Sequence, residues 1–224
     1  KDATASALSI NAFIAGDVAK LYSKIQTKPA LKLLPEAIQG WELKGEHLSA
    51  IALTIPLLTK NNQSAPQSRT KNAKPKFHLN LATELKNVSL NDQSLKLHAT
   101  KARGKIAFDT IKGLSSNEIS LSTFGHPAKL SITSKPNNNV LKTTVALTGK
   151  IAIKDVKPWL DTKHFDRLEG SAAFGAKFDF CSEATHCNQL LINTNLAGVS
   201  VDLPAPWGKS AKQQRKLQIL KSNA

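Results

Sequence analysis

From Trp41 onward the apolar residues of this chain return at every second position, and that alternation leaves few architectures open. Phe77, Leu79 and Leu81 alternate with His78, Asn80 and Ala82, and Leu95, Leu97 and Ala99 with Lys96 and His98. The same phase recurs at Ile106 and Phe108, Ile119 and Leu121, Leu130 and Ile132, Val145 and Leu147, and Ile151 and Ile153. It continues through Phe174 to Phe180, Leu190 to Leu196 and Val199 to Leu203. Successive side chains of a strand point to opposite faces, so each run predicts a strand with one apolar face and one face of Lys, Thr, Ser and Asn. Turn residues punctuate the runs at Asn91-Asp92, Lys112-Gly113, Gly125-His-Pro127 and Pro136 to Asn139. Short gaps between strands favour an antiparallel meander over a doubly wound sheet. The expected class is mainly β: an antiparallel, twisted or curved sheet forming a groove, with a small N-terminal helical element.

That helical element is expected within residues 16–41. Asp17 can cap Val18 to Ile25, where Val18, Leu21, Tyr22 and Ile25 fall at helical spacing, and Lys28-Pro29 stops it. A second short helix is predicted after Leu34-Pro35, ending at Gly40 or Trp41. Residues 60–76 contain no large apolar side chain and read as a polar mobile loop. Residues 77–220 are expected to form the main antiparallel sheet, and 1–224 one continuous segment of a longer protein, since the chain has no methionine and begins Lys1-Asp2. Gly104-Lys-Ile-Ala-Phe108 and Gly149-Lys-Ile-Ala-Ile153 lie 45 residues apart and each reads as a strand opening.

Thirty-one basic against sixteen acidic residues give a net charge of +15, which favours anionic partners without choosing among them. Two acid-free basic clusters stand out: Lys60, Arg69, Lys71, Lys74 and Lys76, and Lys209, Lys212, Arg215, Lys216 and Lys221. Aromatics make up 5% of the chain, too few to serve as stacking platforms, so nucleic acid is not expected as a partner. The run Leu48 to Leu58 is the longest apolar one; it falls well short of the ~20 residues of a membrane-crossing helix and contains Pro56.

Searches for chemistry return little. Gly208-Lys-Ser210 lacks the glycine a phosphate loop requires at position 203, where Leu203 stands. Gly198-Val-Ser-Val-Asp202 and Gly113-Leu-Ser-Ser-Asn117 lack the closing glycine of a nucleophile elbow. The six histidines show no paired helical spacing for zinc, and Asp161, His164, Asp166 and Glu169 read as a turn network or surface site. No enzyme, metal site or cofactor is expected. Cys181 and Cys187 flank a five-residue tip between two strand-like runs, a spacing compatible with a disulfide in an oxidising compartment or with two thiols.

The segment Leu196-Ala-Gly-Val-Ser-Val-Asp-Leu-Pro-Ala-Pro-Trp-Gly-Lys-Ser210 resembles the signature of the YhdP group, AsmA-like bridge-type lipid transport proteins of Gram-negative envelopes. Gly104 to Asp109, Gly113 to Asn117 and Phe124-Gly-His-Pro-Ala-Lys-Leu130 match that group's order of strand, Gly-Leu turn and Phe-Gly-x-Pro hairpin. Leu34 to Trp41 is similar to its repeat-opening helix, and Leu168-Glu-Gly170 to a later strand start. The match spans most of residues 30–220; Lys60 to Lys76 departs from it as a polar insertion.

The resemblance implies a segment of a periplasmic protein that carries phospholipid acyl chains along an apolar groove between inner and outer membranes, with a role in outer-membrane permeability. The parent would be anchored in the inner membrane, and its partners would be phospholipid, the remaining segments of the parent chain, and both membranes through regions absent here. The groove-lining candidates are Leu79, Leu81, Leu95, Leu97, Ile106, Phe108, Leu130, Ile132, Val145 and Leu147, each on a consistent apolar phase. The competing expectation is a non-enzymatic β-sandwich binding or structural module for anionic envelope glycolipid or polysaccharide, its apolar faces packed on one another.

Overall fold

The computed structural model describes residues 6–26, 40–57, 77–93, 97–137, 140–160, 166–181 and 188–222. They form one antiparallel sheet of eleven strands that does not close into a barrel. The strands are β1 (Ala7–Asp17), β2 (Glu42–Pro56), β3 (His78–Asp92), β4 (Leu97–Asp109), β5 (Gly113–Thr123) and β6 (His126–Asn137). They continue as β7 (Val140–Ala152), β8 (Leu168–Cys181), β9 (Gln189–Thr194), β10 (Val199–Val201) and β11 (Leu217–Ser222), with helices α1 (Val18–Ile25) and α2 (Ile153–Leu160). Spatial order follows chain order from β1 to β9, then β11, while β10 pairs with β8. This is the expected antiparallel, curved class; no second sheet lies across the apolar face among the described residues, so the sandwich alternative is not its architecture.

Meander connectivity gives the sheet two rims. One carries the β1–β2, β3–β4, β5–β6, β7–β8 and β9–β11 connections, and with them both helices and the Pro204-Ala-Pro206 segment. The other carries the β2–β3 connection, which contains residues 60–76, and the turns β4–β5, β6–β7 and β8–β9. Residues 60–76 and the second helix predicted after Leu34-Pro35 lie outside the described residues, except for the predicted end at Gly40 or Trp41, which is not helical. Strands β1 and β2 precede that insertion yet belong to the same sheet as the strands after it.

Helix α1 forms as read: the Asp17 carboxylate accepts from the Ala19 backbone N–H at 2.7 Å and satisfies one orphan donor of the first turn. Helix α2 stands where the alternation predicts that the strand phase of Ile151 continues through Ile153. The strand ends at Ala152, and Ile153 begins a helix whose side chain packs on Ala172 and Val199. Strands β1 and β11 are further additions to the strands read from sequence. The final run stops at Val201, not Leu203, and Gly104 and Gly149 sit inside β4 and β7 instead of opening them.

A row of bulges creases the sheet. Register shifts occur between Lys44 and Glu46, Leu85 and Val88, Thr100 and Arg103, and Ser116 and Ile119. Asn87 and Lys101 take left-handed φ values of 53° and 56°. At Gly104, with φ of 151°, a Cβ would stand 2.6 Å from the Glu118 carbonyl oxygen. Bulges sharpen local twist and bend the strand that carries them. Aligned across β2 to β5, they curl the apolar face inward. The main core lies on that inside: Val88, Ala99, Ala102, Ile119, Leu121 and Ala128, with Val18 reaching in from α1.

The outer face is held by polar contacts at its turns. Asp109 Oδ1 accepts from the backbone N–H groups of Ile111 and Lys112 at 2.7 and 2.9 Å, closing the β4–β5 turn, and Oδ2 lies 2.8 Å from His78 Nε2. Burial pushes this carboxyl up, but the bonds from His78, Lys112 and Ile111 and the His78 charge outweigh it and leave the pKa lowered. Asp179 is lowered in the same way, burial being outweighed by hydrogen bonds with Lys142 and Thr144.

Two outcomes follow from this architecture. Asp109 is depressed in the folded state, so its contribution is complete above the unfolded pKa of about 4 and is lost as pH falls through the lower folded value. Asp109→Asn keeps an oxygen for the turn but loses the charge and the acceptor facing His78. It should cost about 1 kcal/mol at neutral pH, and urea titrations should show the gap to wild type closing below about pH 4. Gly170, with φ of 106°, is the second site: a Cβ there would stand 2.1 Å from the Gly198 carbonyl oxygen, which accepts from Ser171 N–H. Gly170→Ala should destabilise by about 2–3 kcal/mol, with the Ser171 amide losing protection from hydrogen exchange.

A candidate apolar trough

Cross-strand partners share a face, so register alone sorts the side chains. Leu79 faces Leu53, which faces Ile10; Leu81 faces Ile51 and Phe108; Leu130 faces Ile119 and Leu147; Ile132 faces Val145, which faces Phe178. Following these pairs across the sheet puts Leu79, Leu81, Leu97, Ile106, Phe108, Leu130, Ile132, Val145 and Leu147 on one face, the concave one. Leu95, the remaining candidate, lies outside the described residues.

The same face carries residues missing from that set: Leu8, Ile10 and Ile14 of β1, Ile51, Leu53 and Ile55 of β2, Phe174, Phe178 and Phe180 of β8, and Leu190 and Ile192 of β9. Their signal was present as alternation, most plainly at Leu8, Ile10, Ala12 and Ile14, where the strand runs straight into α1. Together they make an apolar surface continuous across the strands. Most of its large side chains are half-buried, since they touch in-plane neighbours and curl toward one another while no sheet lies on top among the described residues. Helix α1 covers this face near Val88, and α2 near Ala172 and Val199. Phe174 meets Phe124 edge-on with ring centroids 6.3 Å apart, and Phe178 lies 5.6 Å from Phe180.

Charge is sorted as cleanly as hydrophobicity. By register, Glu46, Glu84, Lys86, Arg103, Lys105, Lys129, Lys142, Lys150, Lys177 and Asp179 all take the convex phase. Among the described strand residues, Asp92, at the end of β3, and Lys221, near the end of β11, are the charged residues on the trough phase. Asp92 is buried and accepts from Trp41 Nε1–H at 3.0 Å. His78 and His98 are both exposed on the convex phase, and His78 is paired with Asp109.

Hydroxyls on the trough face are internally satisfied. Thr123 donates to the His98 carbonyl, Ser116 to that of Lys105 and Thr194 to that of Ala173. Ser134 and Thr143 pair at 2.8 Å, and His47, Ser49 and Thr83 form a buried chain with steps of 2.8 and 2.9 Å. Among the described residues no three His, Cys, Asp or Glu side chains converge as a metal ion requires. Asp161 and His164 lie outside the described residues, while Asp166 and Glu169 are exposed beside the start of β8. Cys181 is disulfide-bonded; Cys187 lies outside the described residues.

The Pro-rich signature forms the tip of a long hairpin. Strand β10 leads out, and the chain returns through an antiparallel bridge between Val201 and Lys209 to β11, which pairs with β9. Buried Lys209 donates from Nζ to the carbonyls of Leu196 and Val199. Lys209, the middle residue of Gly208-Lys-Ser210, is thus structural and faces protein oxygens, not a phosphate.

No curated protein and no solved structure matches the chain. The family described as YhdP protein matches over residues 2–224, the span of the open sheet, both helices and the signature hairpin, and the chain therefore belongs to the YhdP family.

Proposed function

We propose that the trough holds phospholipid acyl chains and that the chain is one segment of a periplasmic bridge passing phospholipid between the inner and outer membranes. The observation that carries this reading is the apolar face running across the sheet from β1 to β11, which no second sheet covers among the described residues and which has most of the strand charges on the opposite phase. Each methylene moved through water costs about 0.8 kcal/mol, so two long acyl chains meet a barrier on the order of 20 kcal/mol. A trough removes that cost by keeping the chains against Leu, Ile and Phe while the headgroup stays in water.

Dimensions suit the task. Ten strands in sequence along the sheet, about 4.8 Å apart, give a track of roughly 45 Å, and strands of about 13 residues supply some 40 Å of backbone to curl around it. Lipid slides along the track without a catalytic step, and the residues already placed on the concave face form its lining. Beyond β1 and β11, further segments of the parent chain would extend the sheet edges, and the parent would be anchored in the inner membrane. Pairing of Cys181 with Cys187 would tie the β8–β9 turn in the oxidising periplasm, a reading supported by the bonded state of Cys181.

Adjacent residues of one strand give the test. Leu81 lies on the trough face between Ile51 and Phe108, while Ala82 is exposed on the other face. Native mass spectrometry with lipid extraction should find phospholipid on the wild-type protein and on Ala82→Glu but not on Leu81→Glu. Both variants should keep the β-rich circular dichroism of wild type, because a carboxylate at an open half-buried site costs only about 1–3 kcal/mol. Lipid retained equally by all three proteins would place the lipid elsewhere and sink the proposal.

A further inference from the structure

We infer that the hairpin tip at residues 202–216 is a docking site for an anionic lipid surface, separate from the trough. Trp207 is 69% exposed at the tip and Leu203 is 41% exposed beside it, although both are large apolar side chains on a structured loop. A lone exposed apolar side chain needs no explanation, but two grouped on one held loop and rimmed by basic residues mark an interaction surface.

This tip is preorganised. The Trp207 and Gly208 backbone N–H groups donate to the Pro204 carbonyl at 2.9 and 3.2 Å. Arg215 fastens the loop from outside: Nη1 donates to the Trp207 carbonyl at 3.1 Å, and Nη2 to those of Pro206 and Gly208 at 3.0 and 3.1 Å. Its backbone N–H donates to the Asn195 carbonyl, and Lys209 anchors the base through Leu196 and Val199. Trp207 is therefore presented in a set position, and little conformational freedom is left to lose on binding.

Charge selects the partner. Lys212, Arg215 and Lys216 are exposed around the tip, and Asp202 is the single acid between Val199 and Lys221. An indole with its apolar body and polar N–H suits the headgroup boundary, and basic side chains beside it suit an anionic leaflet. A flat membrane surface asks for no shape complementarity beyond a projecting tip. The tip lies on the rim that carries both helices, past the last pair of β10 with β8, so it can meet a surface while the trough face stays free.

The test is co-sedimentation of the chain with vesicles of phosphatidylethanolamine and phosphatidylglycerol, compared with phosphatidylcholine vesicles. Wild type should partition to the anionic vesicles and much less to the neutral ones. Trp207→Ala should weaken that partition about tenfold, with unchanged circular dichroism because the side chain is exposed. Lys212→Gln with Lys216→Gln should weaken it roughly twenty-fivefold, from about fivefold per lysine. Lys150→Gln with Lys177→Gln removes the same charge from the convex face and should leave partition nearly intact. Leu81→Glu should also leave it intact, separating docking from trough occupancy. The inference is overturned if wild type binds neither vesicle or both alike, if Trp207→Ala has no effect, or if the two lysine pairs lose equally; an interaction with a protein surface would then be the reading to pursue.

Discussion

One constraint governs this structure: the apolar phase of every strand has to survive the bulges that bend it. A one-residue slip moves a strand's whole apolar set to the opposite face. At each crease on β3 to β5 the extra residue is taken from the polar set, so the interval between inward residues lengthens from two to three. Leu85 is followed inward by Val88, Ala99 by Ala102 and Ser116 by Ile119. The residues between them, Lys86 and Asn87, Thr100 and Lys101, Asn117 and Glu118, have polar or charged side chains. Curvature and a single apolar face are thus written in the same positions.

An open sheet must find burial without a facing layer. Here the curl supplies it, with small residues in the core: Ala99, Ala102 and Ala128 are buried, and Gly104 admits the Glu118 carbonyl where no Cβ fits. Two helices finish the work at one rim, α1 through Val18 and α2 through Ile153. What remains is a broad half-buried surface of Leu and Ile, larger than the scattered apolar exposure of an ordinary surface. A closed sandwich of the same sequence would need a second sheet, and the meander places all eleven strands in one.

Most of this was legible because period two is a local signal. Strand phases, the Asp17 cap and the turn at Lys112-Gly113 follow from neighbours in the chain; the turn read at Gly125-His-Pro127 falls one residue earlier, at Phe124-Gly125, and His126 already opens β6. The misses have physical reasons. In β1, alternation at Leu8, Ile10, Ala12 and Ile14 runs directly into a helix, so the helical signal masked the strand. At α2, Ile153 satisfies the strand phase of Ile151 and the buried face of a helix equally well, and only packing on Val199 decides. Strand β11 was hidden within a basic C-terminal segment read for its charge. Contacts such as His78 with Asp109 and Ser49 with Thr83 join residues more than thirty apart in sequence, and no single-chain pattern announces them. The signature Pro-x-Pro segment identified the family, but its hairpin geometry depends on Arg215 and Lys209 reaching carbonyls that sequence spacing does not reveal.

A track along which lipid slides works best when its energy is level, since a local well of about 1.4 kcal/mol holds its cargo tenfold longer than its surroundings. Polar atoms on an apolar wall are the obvious source of such wells. In this trough the hydroxyls of Ser116, Thr123, Ser134 and Thr194 are committed to backbone carbonyls, and Ser49 and Thr83 to each other. Their hydrogen-bonding capacity serves the sheet instead of competing for a headgroup or ester. The convex face meanwhile pairs several of its charges, as in Lys129 with Glu118 and Lys142 with Asp179, away from the lining. The pairing that keeps buried polar groups from destabilising the sheet therefore also smooths its concave surface, so under the proposed function foldability and passage of lipid would impose the same requirement on the same side chains.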